Sequence, residues 1–405
     1  MINLELTPKL EKARAGTRAL AEGVFRPSSR EWDTKEHVFP ECLRPFVPPP
    51  QAKKTAEQIR EEKGLRELAK AAAEQEDDGR PKNGSNLNGI VSVVEMCWGD
   101  VGLMLSMPGA GLGNAAIGAV ATPEQKERLG QVYASMAITE PSTGSDSANI
   151  NTTAVLDGDE WVINGEKIFV TAGERCDHVV VWATLDKSMG KAAIKSFVIP
   201  RDNPGMTLVG LENKLGLRAS DTATFHLEDC RIPKDNILGS PEIKQGSFGG
   251  VMQTFDNTRP TVASMALGVA RASLDLTREL FEKEGIEFKY EKAHFNSTAL
   301  EAEIYRMEAD LDAARLLTMK AAWMSDNKVA NSMEASMCKA KAGRVGNYIT
   351  LRCVELCGSV GYNEIELLEK WARDSKILDI FEGTQQIQQL IVARRLLNKS
   401  SKDLK

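Results

Sequence analysis

The segment Trp161–Val170, WVINGEKIFV, decides how the chain divides. Its β-favouring residues fall in two runs, Trp161–Ile163 and Lys167–Val170, with the tight-turn signal Asn164-Gly165 between them. Further β-favouring runs follow at His178–Ala183, Ser196–Ile199 and Thr222–Leu227, and turn signals such as Asp157-Gly158 separate several of them. Residues 132–245 therefore read as a small all-β domain, a barrel or a sandwich.

The period changes on both sides of that zone. Val262, Ala266, Val269, Leu276 and Leu280 recur at helical spacing, as do Leu300, Ile304, Met307, Leu311, Ala314 and Leu317. Ile387, Leu390, Ile391 and Leu397 mark a last helix. Long helices with short connections predict an antiparallel four-helix bundle over 246–405. Residues 1–131 read as a helical domain, in which Pro48, Pro49 and Pro50 stop any helix. The insertion 48–88 begins as a charged, Ala-rich stretch that suits a solvated helix, and Glu76–Asn86 reads as a mobile loop. Helical spacing resumes at Gly89–Met104. The expected fold class is α+β, in the order helices, β-domain, helix bundle.

With 405 residues, 42% of them hydrophobic, the chain can build two to three packed domains. A formal net charge of −6 gives no general attraction to nucleic acid or to an anionic membrane. No run of about 18 apolar residues predicts a membrane span. Residues 1–20 read as an amphipathic helix without a signal-peptide core, so a cytoplasmic location is expected. Seven scattered cysteines suit a reducing compartment, and Cys353 and Cys357 read as small buried hydrophobes. His37, His178, His226 and His294 match no metal spacing, and no metal is expected.

Several segments carry chemistry. PGAGLGN at 108–114 imitates a nucleotide-binding loop but lacks a preceding strand, so a tight helix connection accounts better for its glycines. AITEPSTGSDSANI, 137–150, offers hydroxyls and backbone N–H groups that can bind neutral ring edges or pyrophosphate oxygens, although a polar turn is the plainer reading. Phe169 and Thr171 are two apart on a strand, placing an aromatic face beside a hydroxyl. In FDNTRPT, 255–261, Asp256 and Arg259 share a helix face as acceptor and fork donor. Glu382 follows the apolar run Ile377–Phe381 and precedes Gly383-Thr384, with Thr384 a plausible N-cap. A carboxylate after such a run, beside a cavity, gains a raised pKa and becomes a base for a weakly acidic proton.

Taken in order, these segments resemble the acyl-CoA dehydrogenase family. TEPxxGSD stands at Thr139–Asp146 and INGxKxxxTxG at Ile163–Gly173. K-x-G-x-R-x-S-x-T stands at Lys214–Thr222 and R-D-x-K-I-x-x-I-x-E-G-T-x-x-I-Q at Arg373–Gln388. The resemblance covers about 90–400. It implies FAD between the β-domain and the bundle, with Ile138, Thr139, Gly144, Ser145, Phe169, Val170 and Thr171 on the flavin side. It places Glu355 and Gly358 on the adenine side and has Thr384 and Gln386 touch FAD, often across a subunit interface. Ser145, Asp256, Arg259 and Gly383 would meet the acyl-CoA substrate. Glu382 matches the catalytic base; some members place that base where Thr258 stands here, and threonine cannot serve. The implied reaction takes the α-proton onto Glu382 and the β-hydrogen as hydride to flavin N5, giving the trans-2-enoyl-CoA. Electrons would pass to an electron-transfer flavoprotein, and a dimer or tetramer is implied.

The sequence departs from the family in three places. KYEKAHFNSTAL, 289–300, lacks the arginine that normally reaches a neighbouring FAD. Glu355 replaces a neutral glutamine in Glu355–Gly361, which is unfavourable beside a pyrophosphate unless a cation compensates. Residues 48–88 replace the usual cover of the acyl tail. Alternative expectations are therefore a half-site or non-catalytic subunit of a hetero-oligomer, or an acyl-CoA oxidase on the same scaffold.

Overall fold

The computed structural model describes residues 6–47, 84–109, 111–129, 132–243, 249–291, 294–400 and 403. Most of the 48–88 insertion, with its expected helix and loop, lies outside the described residues. The N-terminal part contains α1 (Pro8–Leu20), a π-helical turn (Ala21–Phe25), α2 (Arg26–Thr34), α3 (Ser85–Gly99), α4 (Val101–Leu105), α5 (Gly113–Val120) and α6 (Pro123–Leu129). Helix α3 begins at Ser85, inside the stretch expected to be a loop. The cause is distant in sequence: the Asp326 carboxylate accepts from the N–H groups of Gly84, Asn86 and Leu87 and caps the helix from outside.

Seven strands follow among the described residues: β1 (Ala134–Ala137), β2 (Thr153–Asp157), β3 (Glu160–Thr171), β4 (His178–Thr184), β5 (Ile194–Pro200), β6 (Met206–Leu211) and β7 (Thr222–Pro233). They form one sheet in the order β1-β4-β2-β3-β7-β6, with β5 on β4. Asp157-Gly158 is the β2–β3 hairpin turn, where Gly158 takes a φ of 61°. Asn164-Gly165 is not a turn. The strand runs straight through it, and the register against β7 shifts between Ile163 and Gly165. Gly165 has a φ of 152°, and a Cβ there would meet the Thr152 backbone at 2.7 Å, so the dipeptide serves as a bulge.

The bundle contains α7 (Gly249–Lys283), α8 (Ala299–Asp326), α9 (Ser332–Leu356), the short α10 (Gly358–Tyr362), α11 (Leu368–Ile377) and α12 (Gln385–Leu397). Helix α9 packs against α7, α8, α11 and α12, and α3 packs against α7. One core unites the N-terminal helices with the bundle, through residues such as Phe25, Trp98, Leu267, Ile349 and Trp371. Leu217 and Ala219 join that core from the β-domain, which has its own cluster around Ile163, Val181, Phe197 and Phe225 and packs Val180, Trp182 and Val198 against α5. In the decoy loop a Cβ on Gly113 would meet the Ala134 backbone at 2.5 Å, so β1 requires glycine there. Among the described residues no helix is long and apolar enough to cross a membrane.

A buried ion cluster ties the three parts together. The Lys370 ammonium reaches Asp100 and Asp374, and all three side chains are buried. Asp100 also caps α4, accepting from the Leu103 N–H at 2.7 Å, while Asp374 accepts from the Leu217 N–H at 2.6 Å. Gly216 lies so close to α11 that a Cβ would meet the Arg373 carbonyl carbon at 2.6 Å. Thus Lys214–Thr222 and the start of Arg373–Gln388 form one physical joint between sheet and bundle. Burial favours the neutral amine, but the two carboxylates outweigh it and hold the Lys370 pKa above the ordinary lysine value.

Candidate active site

The Glu382 turn is built by two residues in left-handed conformations, Glu382 with φ 56° and Gly383 with φ 90°. A glutamate pays strain in this region, and such strain is retained where the surroundings impose it. Here three contacts impose it. Gln388, fully buried, donates its Nε2 to the carbonyls of Glu382 at 2.9 Å and Gly383 at 3.1 Å. Lys339, also fully buried, donates its Nζ to the Gly383 carbonyl at 2.7 Å. Thr384 caps α12 by accepting from the Ile387 N–H, as its position suggested, and Gln385 reaches the Ala340 carbonyl at 2.7 Å. No described acceptor takes the Glu382 N–H, which leaves a donor beside the carboxylate.

The Glu382 carboxylate accepts from the Thr258 hydroxyl at 2.8 Å. Its side chain is half-buried, and the protein crowded around the carboxylate strips it of water. That desolvation raises its pKa above the usual carboxylate value, against the lowering effects of the Thr258 hydrogen bond and the charges of Arg259 and Lys339. Arg259 is buried and sends Nη1 toward the Ser336 hydroxyl at 3.4 Å, so it is an interior cation rather than an exposed fork. Asp256 stands on the same helix, with its side chain outside the described residues.

The expected flavin-side residues gather on the β-domain. The Ile168 N–H donates to the Thr139 carbonyl at 2.9 Å, which draws the Thr139–Asp146 loop onto β3. Below this seam Glu140 and Lys167 form a buried ion pair at 2.8 Å. Glu140 also accepts from the Thr152 N–H and hydroxyl and the Asn151 N–H, while Lys167 donates to the Ile138 carbonyl at 3.0 Å. The register of β3 shifts again between Lys167 and Val170. Phe169 occupies this second bulge with φ 58° and is 58% exposed, while Val170 turns into the core and Thr171 is half-buried. A large aromatic side chain held outward in a left-handed conformation, beside Thr139 and Thr171, fits a planar ring with polar edges. Gly144 and Ser145 are exposed, and open space surrounds Gly144.

The remaining expected positions lie at the far end of α9 and on α12. Glu355 is paired with Arg352, which also holds Glu303, so a cation does compensate the unexpected acid. Gly358 has φ 56°, and a Cβ on Gly361 would meet the Val354 carbonyl oxygen at 2.6 Å, which explains both glycines by chain geometry. Gln386 is exposed at the start of α12. Lys339, Gln388 and the Glu140–Lys167 pair were not assigned from sequence. Lys339 left a signal: it interrupts the apolar stripe Ala335, Cys338, Ala342 and Val345 on α9.

Fold and site together define a class: a scaffold of helices, sheet and helices presenting a desolvated carboxylate and an aromatic-and-hydroxyl face that could take a planar ring. Residues 248–397 match the acyl-CoA dehydrogenase C-terminal domain, and residues 135–230 the acyl-CoA dehydrogenase middle domain. The chain is 38% identical to short-chain specific acyl-CoA dehydrogenase, mitochondrial, of Bos taurus, over 68% of this chain and 67% of that protein. It is 36% identical to the caffeyl-CoA reductase-Etf complex subunit CarC of Acetobacterium woodii, over 69% of this chain and 73% of that protein. The butyryl-CoA dehydrogenase structure from Megasphaera elsdenii superposes with a TM-score of 0.79 at 26% identity, covering 98% of this chain and all of that one. The chain belongs to the acyl-CoA dehydrogenase family, whose members are FAD-dependent oxidoreductases.

Proposed function

We propose that this chain dehydrogenates an acyl-CoA thioester at its α,β bond, with Glu382 as the base. The observation that carries the reading is the Glu382 carboxylate itself: desolvated, raised in pKa, and fixed by Thr258 in a strained turn. Such a group accepts an α-proton with less penalty than an exposed glutamate. The unpaired Glu382 N–H is suited to receive the thioester carbonyl oxygen as it gains negative charge. Bound FAD would supply the two-electron acceptor for the β-hydrogen, completing the C=C bond. Thr139, Phe169 and Thr171 would hold its ring side, and Thr384 and Gln386 would meet it from α12. Arg259 acts on Glu382 through its field from the interior. An electron-transfer flavoprotein is the proposed acceptor, supported by the Etf-complex relative. An oligomer is supported by the apolar side chains exposed at Val360, Tyr362 and Ile365.

Glu382→Gln tests the assignment. With FAD content unchanged, anaerobic bleaching of the flavin by butyryl-CoA should slow by about 10²–10⁴-fold, the usual contribution of a positioned base. An unchanged rate would remove Glu382 from the reaction.

A further inference from the structure

The buried cation behind the Glu382 turn has no part in the chemistry derived so far. Lys339 lies in the first half of α9 among Ala335, Cys338 and Ala342, and none of its surface is exposed. An ammonium in such a stripe costs more than an alanine or methionine would. Among the described residues its ammonium donates to the Gly383 carbonyl. The charged groups that face it are Asp379 and Glu382 on the connection after α11, and Arg259 on α7. The geometry therefore spends a buried charge on the residue that follows the base. Gln388 already holds both carbonyls of the turn, so hydrogen bonding alone does not call for a cation here.

We propose that Lys339 is a positioning residue for the base: it pins the Glu382–Gly383 turn through the Gly383 carbonyl and keeps a positive charge behind the carboxylate. The inference rests on Glu382 being the base and adds what tunes it. Desolvation favours the protonated Glu382, while the Thr258 hydrogen bond and the charges of Arg259 and Lys339 favour the ionised form. Arg259 is permanently charged, whereas burial lowers the Lys339 pKa to about 8. The lysine is thus the adjustable member of the pair. Deprotonating it withdraws support from the ionised base without moving the turn, because a neutral amine still donates to Gly383.

The experiment compares wild type, Lys339→Met, Lys339→Gln, Lys339→Arg and Glu382→Gln as FAD-loaded proteins. The rate of anaerobic flavin bleaching by butyryl-CoA is followed from pH 6 to 10. In Lys339→Met the acid limb should move up by about one pH unit and the plateau fall by about tenfold. Lys339→Gln should show the same limb shift with a smaller plateau loss, and Lys339→Arg should restore the limb. The thermal midpoint supplies a readout independent of turnover. The folded Lys339 pKa lies below the unfolded value near 10.4, so between those values the folded state binds fewer protons and stability rises with pH. Lys339→Met should lose part of that rise. Overlapping rate profiles for wild type and Lys339→Met, with equal FAD content, would overturn the proposal while leaving a slow Glu382→Gln to support the base. Wild-type rates in Glu382→Gln would overturn both. Failure of all three Lys339 variants to fold would assign the lysine to stability and also overturn the proposal.

Discussion

Glu140 and Glu382 each have a buried lysine nearby, and the two arrangements are built to opposite ends. In the β-domain, Glu140 meets Lys167 directly and also receives two backbone N–H groups and the Thr152 hydroxyl. Burial pushes its pKa up, yet the Lys167 charge and these hydrogen bonds prevail and hold it below the usual range. In the bundle, Glu382 has one hydroxyl partner among the described residues, and the nearby lysine is turned to a carbonyl instead. There burial prevails and the pKa rises. A carboxylate with every lone pair engaged is a fastener. One left short of partners in a crowded site retains affinity for a proton. The two differ in what surrounds each acid, not in residue type.

Breaking the fastener should give the largest effect on stability. Lys167→Met leaves the Glu140 charge buried without its cation, which typically costs about 3–5 kcal/mol. Chemical denaturation should show this loss, and the double variant Glu140→Gln with Lys167→Met should recover much of it. The acid side gives a second reading. The folded Glu140 pKa is depressed, so its contribution is complete above the unfolded value near 4.3 and is lost as pH falls through the folded value. In the double variant this acid-dependent part should vanish. A Lys167→Met protein as stable as wild type would contradict the distinction between the two sites.

The broad fold was legible because helical and strand periods alternate cleanly around residues 132–245. The turn into the last helix was legible because a glycine and an N-cap residue, Gly383 and Thr384, occur in that order. The bulge at Asn164-Gly165 was not, since the same dipeptide serves a hairpin or a bulge, and only pairing with β7 decides between them. The start of α3 was hidden for a similar reason, its cap being Asp326 from another helix. Arg259 and Lys339 were hard to place because lone charges on helices are usually solvated, while here the bundle encloses them. Local signals set the periods and which face is apolar. Partners brought together across the fold set the burial and the pKa.

The remaining contrast concerns what the free acid costs the fold. Since Glu382 has no direct ion pair among the described residues, Glu382→Gln should change stability by less than about 1 kcal/mol, well below the loss in Lys167→Met. Thermal unfolding of the two variants side by side checks this. A loss in Glu382→Gln as large as in Lys167→Met would mean that both acids are structural.

Thr258→Val should produce the smallest effect and the most specific one. It keeps the side chain's shape and removes the hydroxyl that Thr258 donates to Glu382. That hydrogen bond favours the ionised carboxylate, so its loss should raise the Glu382 pKa further. The acid limb of flavin bleaching with butyryl-CoA should then move upward by about half a pH unit, with the alkaline plateau nearly unchanged. The sign is the test. Stabilisation of the protonated acid by Thr258 would move the limb downward instead, and would assign the hydroxyl to acceptor rather than donor duty.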